Sequence, residues 1–190
     1  MLLTDEELIE EIIQGSQAAM EVLVNKHYKS VFAYLYRKTG DYHTAFDITQ
    51  DVFIKMIKGL KHYNGVGKFT NWLFKIASNS CLDHDRSSKA KGINRQIELD
   101  DQLRDEHANV WNLLEKKFAR KRIQQAIGSL PEDQREVVIL KYYHDLRIKD
   151  IAEITLSKES TVKSRMRRGL ARLRTLLEGD ENGEDAESRF

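Results

Sequence analysis

Apolar residues recur at helical spacing along most of this chain, and polar capping residues divide them into segments. In the first segment, "TDEE" places Glu7 three residues after the hydroxyl of Thr4, which predicts a capped helix that stops near Gly15. Ser16 caps a longer segment whose Met20, Leu23, Val24, Val31, Phe32 and Leu35 form a buried stripe before Gly40. Asp41 caps a third, "YHTAFDITQDVFIKMIKG", with Ala45, Ile48, Val52, Phe53, Met56 and Ile57 apolar and Asp47, Gln50, Asp51 and Lys55 turned elsewhere. After Gly59, "LKHYNGVGK" breaks the period at Gly65 and Gly67, and "FTNWLFKIASNSCLDHDRSSK" resumes it.

These segments make a first module of residues 1–90. Residues 91–118 are polar and poorly periodic, as in a linker, although a helix is expected to resume near His107 and run through "VWNLLEKKFARKRIQQAI". A second module covers 119–178. Its "GSLPEDQRE" lets a helix start at Pro131, where a missing amide hydrogen costs nothing. A short "IKDIAEI" segment, a polar turn and a long basic segment follow. Residues 179–190, "GDENGEDAESRF", hold too few apolar groups to repay ordering and read as a disordered acidic tail.

Composition supports the all-α reading: one proline and few glycines among many Leu, Ile, Ala, Glu, Lys and Arg residues. The expected fold is two small helical domains joined by a linker, the C-terminal one a helix-turn-helix. Cys81 is the only cysteine, so no internal disulfide can form and a reducing compartment is expected. The start, "MLLTDEELIEE", lacks the basic end and apolar run of a signal peptide, and no stretch reaches membrane-spanning length. A cytoplasmic protein with no direct membrane insertion is therefore expected.

Charge changes the picture in the second module. Residues 119–177 carry 14 basic against 7 acidic side chains, although the whole chain has a net charge of only +1. The excess is concentrated in "STVKSRMRRGLARLR", which has no acid after Glu159. Wound at 100° per residue, Val162, Met166, Leu170, Leu173 and Leu177 share one side. The other side presents Ser160, Thr161, Ser164 and Arg168, flanked by Lys163, Arg165, Arg167, Arg172 and Arg174. A helix that merely faced solvent would intersperse acids for favourable pairing. Their absence points to an external polyanion, and a helix in a major groove fits: its N-terminal residues meet base edges while flanking cations hold phosphate.

The preceding "LPEDQREVVILKYYHDLRIKDIAEI" supplies the apolar first half of a helix-turn-helix. Together the two stretches resemble the fourth conserved region of bacterial sigma factors. Regulators of the LuxR type also carry an "IA" helix followed by "TVK", so this module alone leaves a free-standing regulator open. "DYHTAFDITQDVFIKM" resembles the second conserved region of extracytoplasmic-function sigma factors, which LuxR-type regulators lack. The resemblance implies that Asp47, Ile48, Gln50, Asp51 and Phe53 contact core RNA polymerase.

"FTNWLFKIASNSCLDHDR" is similar to the family's pattern at Trp72, Leu73, Ile76, Ala77, Asn79, Asp83 and Arg86. It implies capture of a base flipped from the melted minus-ten strand. Tyr63, Lys68, Lys75, Asn79, Asp83 and Arg86 are the candidate contacts there, with Tyr63 offering a stacking face and Asn79 both a donor and an acceptor. Trp72 and Phe69 read as core. For the double-stranded minus-thirty-five element the candidates are Ser160, Thr161, Lys163, Ser164, Arg165, Arg167 and Arg168. The family also implies an anti-sigma partner, which can hold the protein near the membrane.

One departure concerns the turn of the helix-turn-helix. The family has a small or turn-forming residue followed by an apolar one, whereas this chain has Leu156 and Ser157. A left-handed conformation is strained for Leu, so either the turn shifts and Leu156 plugs the core, or the motif is altered. An enzyme finds little support. "LDHD" offers Asp83, His84 and Asp85, but neighbouring helical residues point apart, and neither a phosphate-binding glycine loop nor a nucleophile elbow occurs. No cofactor or metal is expected.

Overall fold

The computed structural model describes residues 3–63, 65, 68–90 and 121–187, the side chains of 88–90 and 179–187 excepted. Four helices form the first domain: α1 (Asp5–Ile13), α2 (Gln17–Thr39), α3 (Tyr42–Gly59) and α4 (Phe69–Ala90), with a 3-10 turn at Leu60–His62. The second comprises α5 (121–128), α6 (Glu132–Tyr142), α7 (Ile148–Ile154) and α8 (Glu159–Glu187). Every described regular element is helical. The expected linker helix near His107 lies outside the described residues.

The caps are as the side chains dictate. Thr4 accepts from the Glu7 amide while the Glu7 carboxylate accepts from the Thr4 amide, so two otherwise unpaired donors are satisfied together. Ser16 caps α2 through the Ala19 amide, and Asp41 caps α3 through the Thr44 amide. Gly40 ends α2 at φ 71°, a left-handed position that costs glycine nothing.

Leu23, Val31, Leu35, Ala45, Val52, Met56, Leu73 and Ala77 are sealed at the centre of the first bundle. Each large aliphatic side chain among them contributes about 1.5–3 kcal/mol by leaving water. In the second domain Val137, Ile139, Leu140, Ile151, Ile154 and Val162 do the same work. Gly169 permits the close approach of α8 to α6, since a Cβ there would lie 3.1 Å from Val138 Cγ2.

Two expectations need correction. The basic helix does not stop at 178: α8 continues to Glu187, into the acidic stretch expected to be disordered. No proline interrupts it, and Arg174 Nε pairs with Glu178 Oε1 one turn on at 2.6 Å, which carries the helix past Leu177. Leu170 is 37% exposed rather than inward, because Gly169 occupies the line of closest approach to α6.

The two domains are packed against each other, α2 on α6 and α4 on α7. Glu136 of α6 is buried between them, its Oε1 accepting from Tyr34 OH at 2.6 Å, Lys38 Nζ at 2.7 Å and Ser78 Oγ at 2.7 Å. Burial alone would raise the Glu136 carboxyl, but Lys38 and the hydroxyl donors outweigh it and hold the group below its ordinary range. Lys38 is correspondingly raised, against the effect of its own burial, by Glu136. Asn71 Nδ2 donates to Asp150 Oδ1 at 2.9 Å, and Arg135 Nη1 to the Lys38 carbonyl at 2.9 Å. The ring of His144 lies 4.8 Å from Phe74 and 5.9 Å from Tyr34 between centroids, with Nδ1 3.3 Å from Ser30 Oγ.

Candidate nucleic-acid and partner interface

Three surfaces carry the residues singled out in the sequence. On α3, Asp47, Gln50 and Asp51 are exposed, as expected for contacts to a partner. Ile48 and Phe53 are not: at 2% and 6% exposure they anchor α3 in its own domain, which removes them from direct contact. The apolar residues that do share the outer face are Phe46, Ile54 and Ile57. Their signal was present in the sequence, since 46, 50 and 54 recur every four residues on the side opposite Ile48 and Val52. The outer face of α3 is thus a strip of carboxylates and an amide around a few aliphatic and aromatic groups, suited to a partner with both cations and apolar contacts.

On α4, Asn79, Asp83 and Arg86 are exposed and Lys75 is half-buried, all along one line of the helix. Asp83 Oδ2 lies 3.9 Å from Lys55 Nζ, which also donates to Ser80 Oγ at 2.9 Å. This tie joins α3 to α4 beside Asn79. Lys68 is exposed just before α4. Tyr63 is half-buried, edge-on to Phe69 with centroids 5.6 Å apart and 5.1 Å from the Trp72 ring. Partial burial, with Glu6 and Asp5 nearby, pushes its phenol upward. Phe69 is sealed and Trp72 packs against the core, as their expected core role requires. Among the described residues no three His, Cys, Asp or Glu side chains stand close enough to share a metal ion.

On α8, Ser160, Lys163, Arg167 and Arg168 are exposed and Thr161, Ser164 and Arg165 half-buried. Arg168 Nη2 donates to Ser164 Oγ at 2.9 Å, which presents the guanidinium along the outer face. Arg165 is engaged elsewhere: its Nε lies 3.1 Å from Asp133 Oδ2 and its Nη1 donates to Ser157 Oγ at 2.9 Å. That pairing ties the turn and α8 to α6.

The turn resolves the question raised by Leu156. Its φ is 49°, in the left-handed region, and it is 70% exposed, so it does not plug the core. The Ser157 amide still reaches the Ala152 carbonyl at 2.9 Å and closes the end of α7. Ser157, in the expected apolar position, is held instead by Arg165 and by its own bond to the Thr155 carbonyl at 3.1 Å. A polar anchor replaces an apolar one.

Residues 23–91 match the family profile of Sigma-70 region 2 and residues 120–173 that of Sigma-70, region 4. The chain is 30% identical over 182 residues to the ECF RNA polymerase sigma factor SigW of Bacillus subtilis, covering 89% of this chain and 94% of that one. It is 30% identical over 173 residues to the ECF RNA polymerase sigma-E factor of Escherichia coli, covering 86% and 89%. Among solved structures, CnrH in complex with the cytosolic domain of CnrY aligns at a TM-score of 0.67 and 22% identity, covering 93% of this chain and 98% of that one. The sigma factor RpoE in complex with the anti-sigma factor NepR from Bartonella quintana aligns at 0.69 and 21% identity, covering 82% and 94%. These last two share the fold.

Proposed function

Because this chain belongs to the extracytoplasmic-function sigma factors of bacterial RNA polymerase, we propose how its three surfaces divide the work of promoter recognition. It directs core polymerase to cognate promoters and starts transcription there. A free-standing LuxR-type regulator is set aside by the region 2 module at 23–91.

Asp47, Gln50 and Asp51, with Phe46, Ile54 and Ile57 around them, form the docking strip for core polymerase. Asn79 takes the flipped base of the minus-ten strand, with Asp83 positioned by Lys55 and with Lys68, Lys75 and Arg86 meeting phosphate. Tyr63 offers the exposed part of its ring as a stacking face. Ser160, Thr161, Lys163, Ser164, Arg167 and Arg168 face the minus-thirty-five major groove; Arg165 supports the module from within. The chain brings no chemistry of its own and needs no cofactor: unstacking a base costs a few kcal/mol, which binding must offset. An anti-sigma partner would compete for these surfaces.

The observation that carries this reading is the exposed face at the start of α8, where Lys163, Arg167 and Arg168 stand beside the hydroxyls of Ser160 and Ser164. The test is transcription by purified core enzyme on a randomised promoter library. Selection of a two-part consensus supports the reading, and no transcript above core alone refutes it. Asn79→Ala separates the steps: promoter opening should fall about tenfold or more with closed-complex affinity nearly unchanged, the loss of one base contact. Equal loss in both would remove Asn79 from base capture.

A further inference from the structure

A stacking ring accepts any base, since every base has a π-face, so Tyr63 by itself confers no preference on the strand it meets. The fold sets a carboxylate beside it. α1 packs on the 3-10 turn Leu60–His62, which leads directly into Tyr63. From α1 a line of contacts reaches the same ring: Asp5 Oδ1 lies 3.0 Å from His27 Nε2, the His27 ring is edge-on to Phe69 at 5.2 Å, and Phe69 is edge-on to Tyr63 at 5.6 Å. Beyond the effect of burial, the negative charges of Glu6 and then Asp5 push the Tyr63 phenol upward, so Glu6 is within electrostatic reach of the ring.

The first turn of α1 carries Asp5, Glu6 and Glu7, and acids there suit the positive end of any helix. Two of the three are engaged in the fold. Glu7 closes the capping box with Thr4, and Asp5 holds Lys26 at 2.9 Å as well as His27. Glu6 is exposed, and among the described residues its carboxylate has no hydrogen bond or ion pair. We propose that Glu6 is a specificity-determining residue of the minus-ten reader: it accepts a hydrogen bond from the amino group of the unpaired base on Tyr63, favouring cytosine, adenine or guanine over thymine. The inference rests on the minus-ten reading of the preceding subsection, and supplies the preference that a stacking face lacks.

The chemistry of the bases decides the direction of that preference. An unpaired base is read on the edge its lost partner has vacated. Cytosine, adenine and guanine each present an amino group there, and an ionised carboxylate, which only accepts, takes a hydrogen bond from it. Thymine presents one N–H between two carbonyl oxygens, and both oxygens repel the carboxylate. The same charge repels phosphate, which leaves the backbone of the strand to the exposed Lys61 and Lys68 on either side of Tyr63 in sequence. A carboxylate beside a ring, with cations flanking it, therefore suits a base edge and not a phosphate.

The test compares the full chain with Glu6→Gln and Glu10→Gln, each bound to core enzyme, on a promoter library randomised across the minus-ten element. For the parent, thymine should be depleted about tenfold against the amino-bearing bases at one position, the discrimination of one base contact. Glu6→Gln, whose amide donates as well as accepts, should abolish that depletion and leave the other positions as they were. Glu10, one turn further along α1 and also exposed, is the control, and its variant should keep the parent's profile. A purely structural role for Glu6 would move the melting temperature and not the base profile. The proposal is overturned if the parent has no thymine-depleted position, if Glu6→Gln keeps the parent's profile, or if both variants lose the depletion, which would report the overall charge of α1. Should Glu6→Gln give no transcript, binding of its holoenzyme to minus-ten single strands carrying each base in turn decides by the same criterion. A parent giving no transcript above core alone overturns the promoter reading itself.

Discussion

Lys38 Nζ stands 2.7 Å from Glu136 Oε1 across 98 positions of sequence, with only 1% and 10% of the two side chains exposed. One charge belongs to the first domain and the other to the helix-turn-helix domain. Tyr34 and Ser78 complete the shell around the same oxygen. The pair therefore couples domain closure to the charge state of a single carboxylate.

Removing one partner is predicted to part the domains. Lys38→Met leaves the buried Glu136 charge with hydroxyl donors but no countercharge, a penalty of about 3–5 kcal/mol if the surfaces stay together. Parting relieves it, so calorimetry should show two unfolding transitions where the parent shows one. Adding Glu136→Gln to Lys38→Met removes the charge while keeping an oxygen that accepts from Tyr34 and Ser78. The double variant should regain the single transition.

Closure is also predicted to weaken in mild acid. Burial, aided by the positive charge of Arg37, pushes the His144 imidazole from the usual 6.5 down to about 4. The ring is thus neutral when closed, facing Tyr34 and Arg37 of α2 and Phe74 of α4. An opened state binds the proton more readily, so closure is fully favourable above about pH 6.5 and loses stability as pH falls toward 4. Glu136 is depressed and acts in the same sense, but only below the ordinary carboxylate range. Hydrogen exchange of α6 and α7 should rise between pH 6.5 and 5, and His144→Phe, which keeps a ring among rings, should flatten that rise.

Leu156 makes the turn costlier than it need be. A left-handed Leu costs about 1–2 kcal/mol, part of which a glycine returns through the greater entropy of its unfolded chain. Leu156→Gly should therefore stabilise the second domain by up to about 1 kcal/mol, a rise of roughly 2–4 °C in melting temperature. Because Leu156 is 70% exposed, no core contact is lost to offset the gain. A lower melting temperature would show that the turn relies on the leucine side chain.

Features decided within a few residues were legible in the sequence. Thr4, Ser16 and Asp41 cap helices because a side-chain oxygen and an amide three residues on need nothing else. The strain at Leu156 was legible for the same reason, although which of its two outcomes held was not. Faces were harder. Ile48 and Phe53 match a polymerase-contacting motif, but helical phase turns them inward and turns Phe46 and Ile54 outward. Least legible was the contact between domains: Lys38 and Glu136 lie 98 positions apart, and nothing local signals that each will bury the other. Arg165 misled similarly, since Asp133 precedes it by 32 positions.

Arg165 and Arg168 are three residues apart in α8 and are predicted to fail in opposite ways. Arg165 joins Asp133 of α6 and Ser157 of the turn, so Arg165→Ala loosens the module's own packing. The Asp133 partner is 47% exposed, which keeps this loss to about 1 kcal/mol. Melting temperature should fall by a few degrees while preference among minus-thirty-five sequences persists. Arg168 bonds only one turn back, to Ser164 Oγ, and its substitution leaves no buried group stranded. Arg168→Ala should leave melting unchanged and relax base preference at one or two positions of the element, worth about 1–3 kcal/mol of discrimination. Lys163→Ala provides the contrast expected of a phosphate contact: uniform weakening across sequences, with the salt slope reduced by about one. If Arg168→Ala behaves as Lys163→Ala does, Arg168 grips the backbone and base readout passes to Ser160, Thr161 and Ser164.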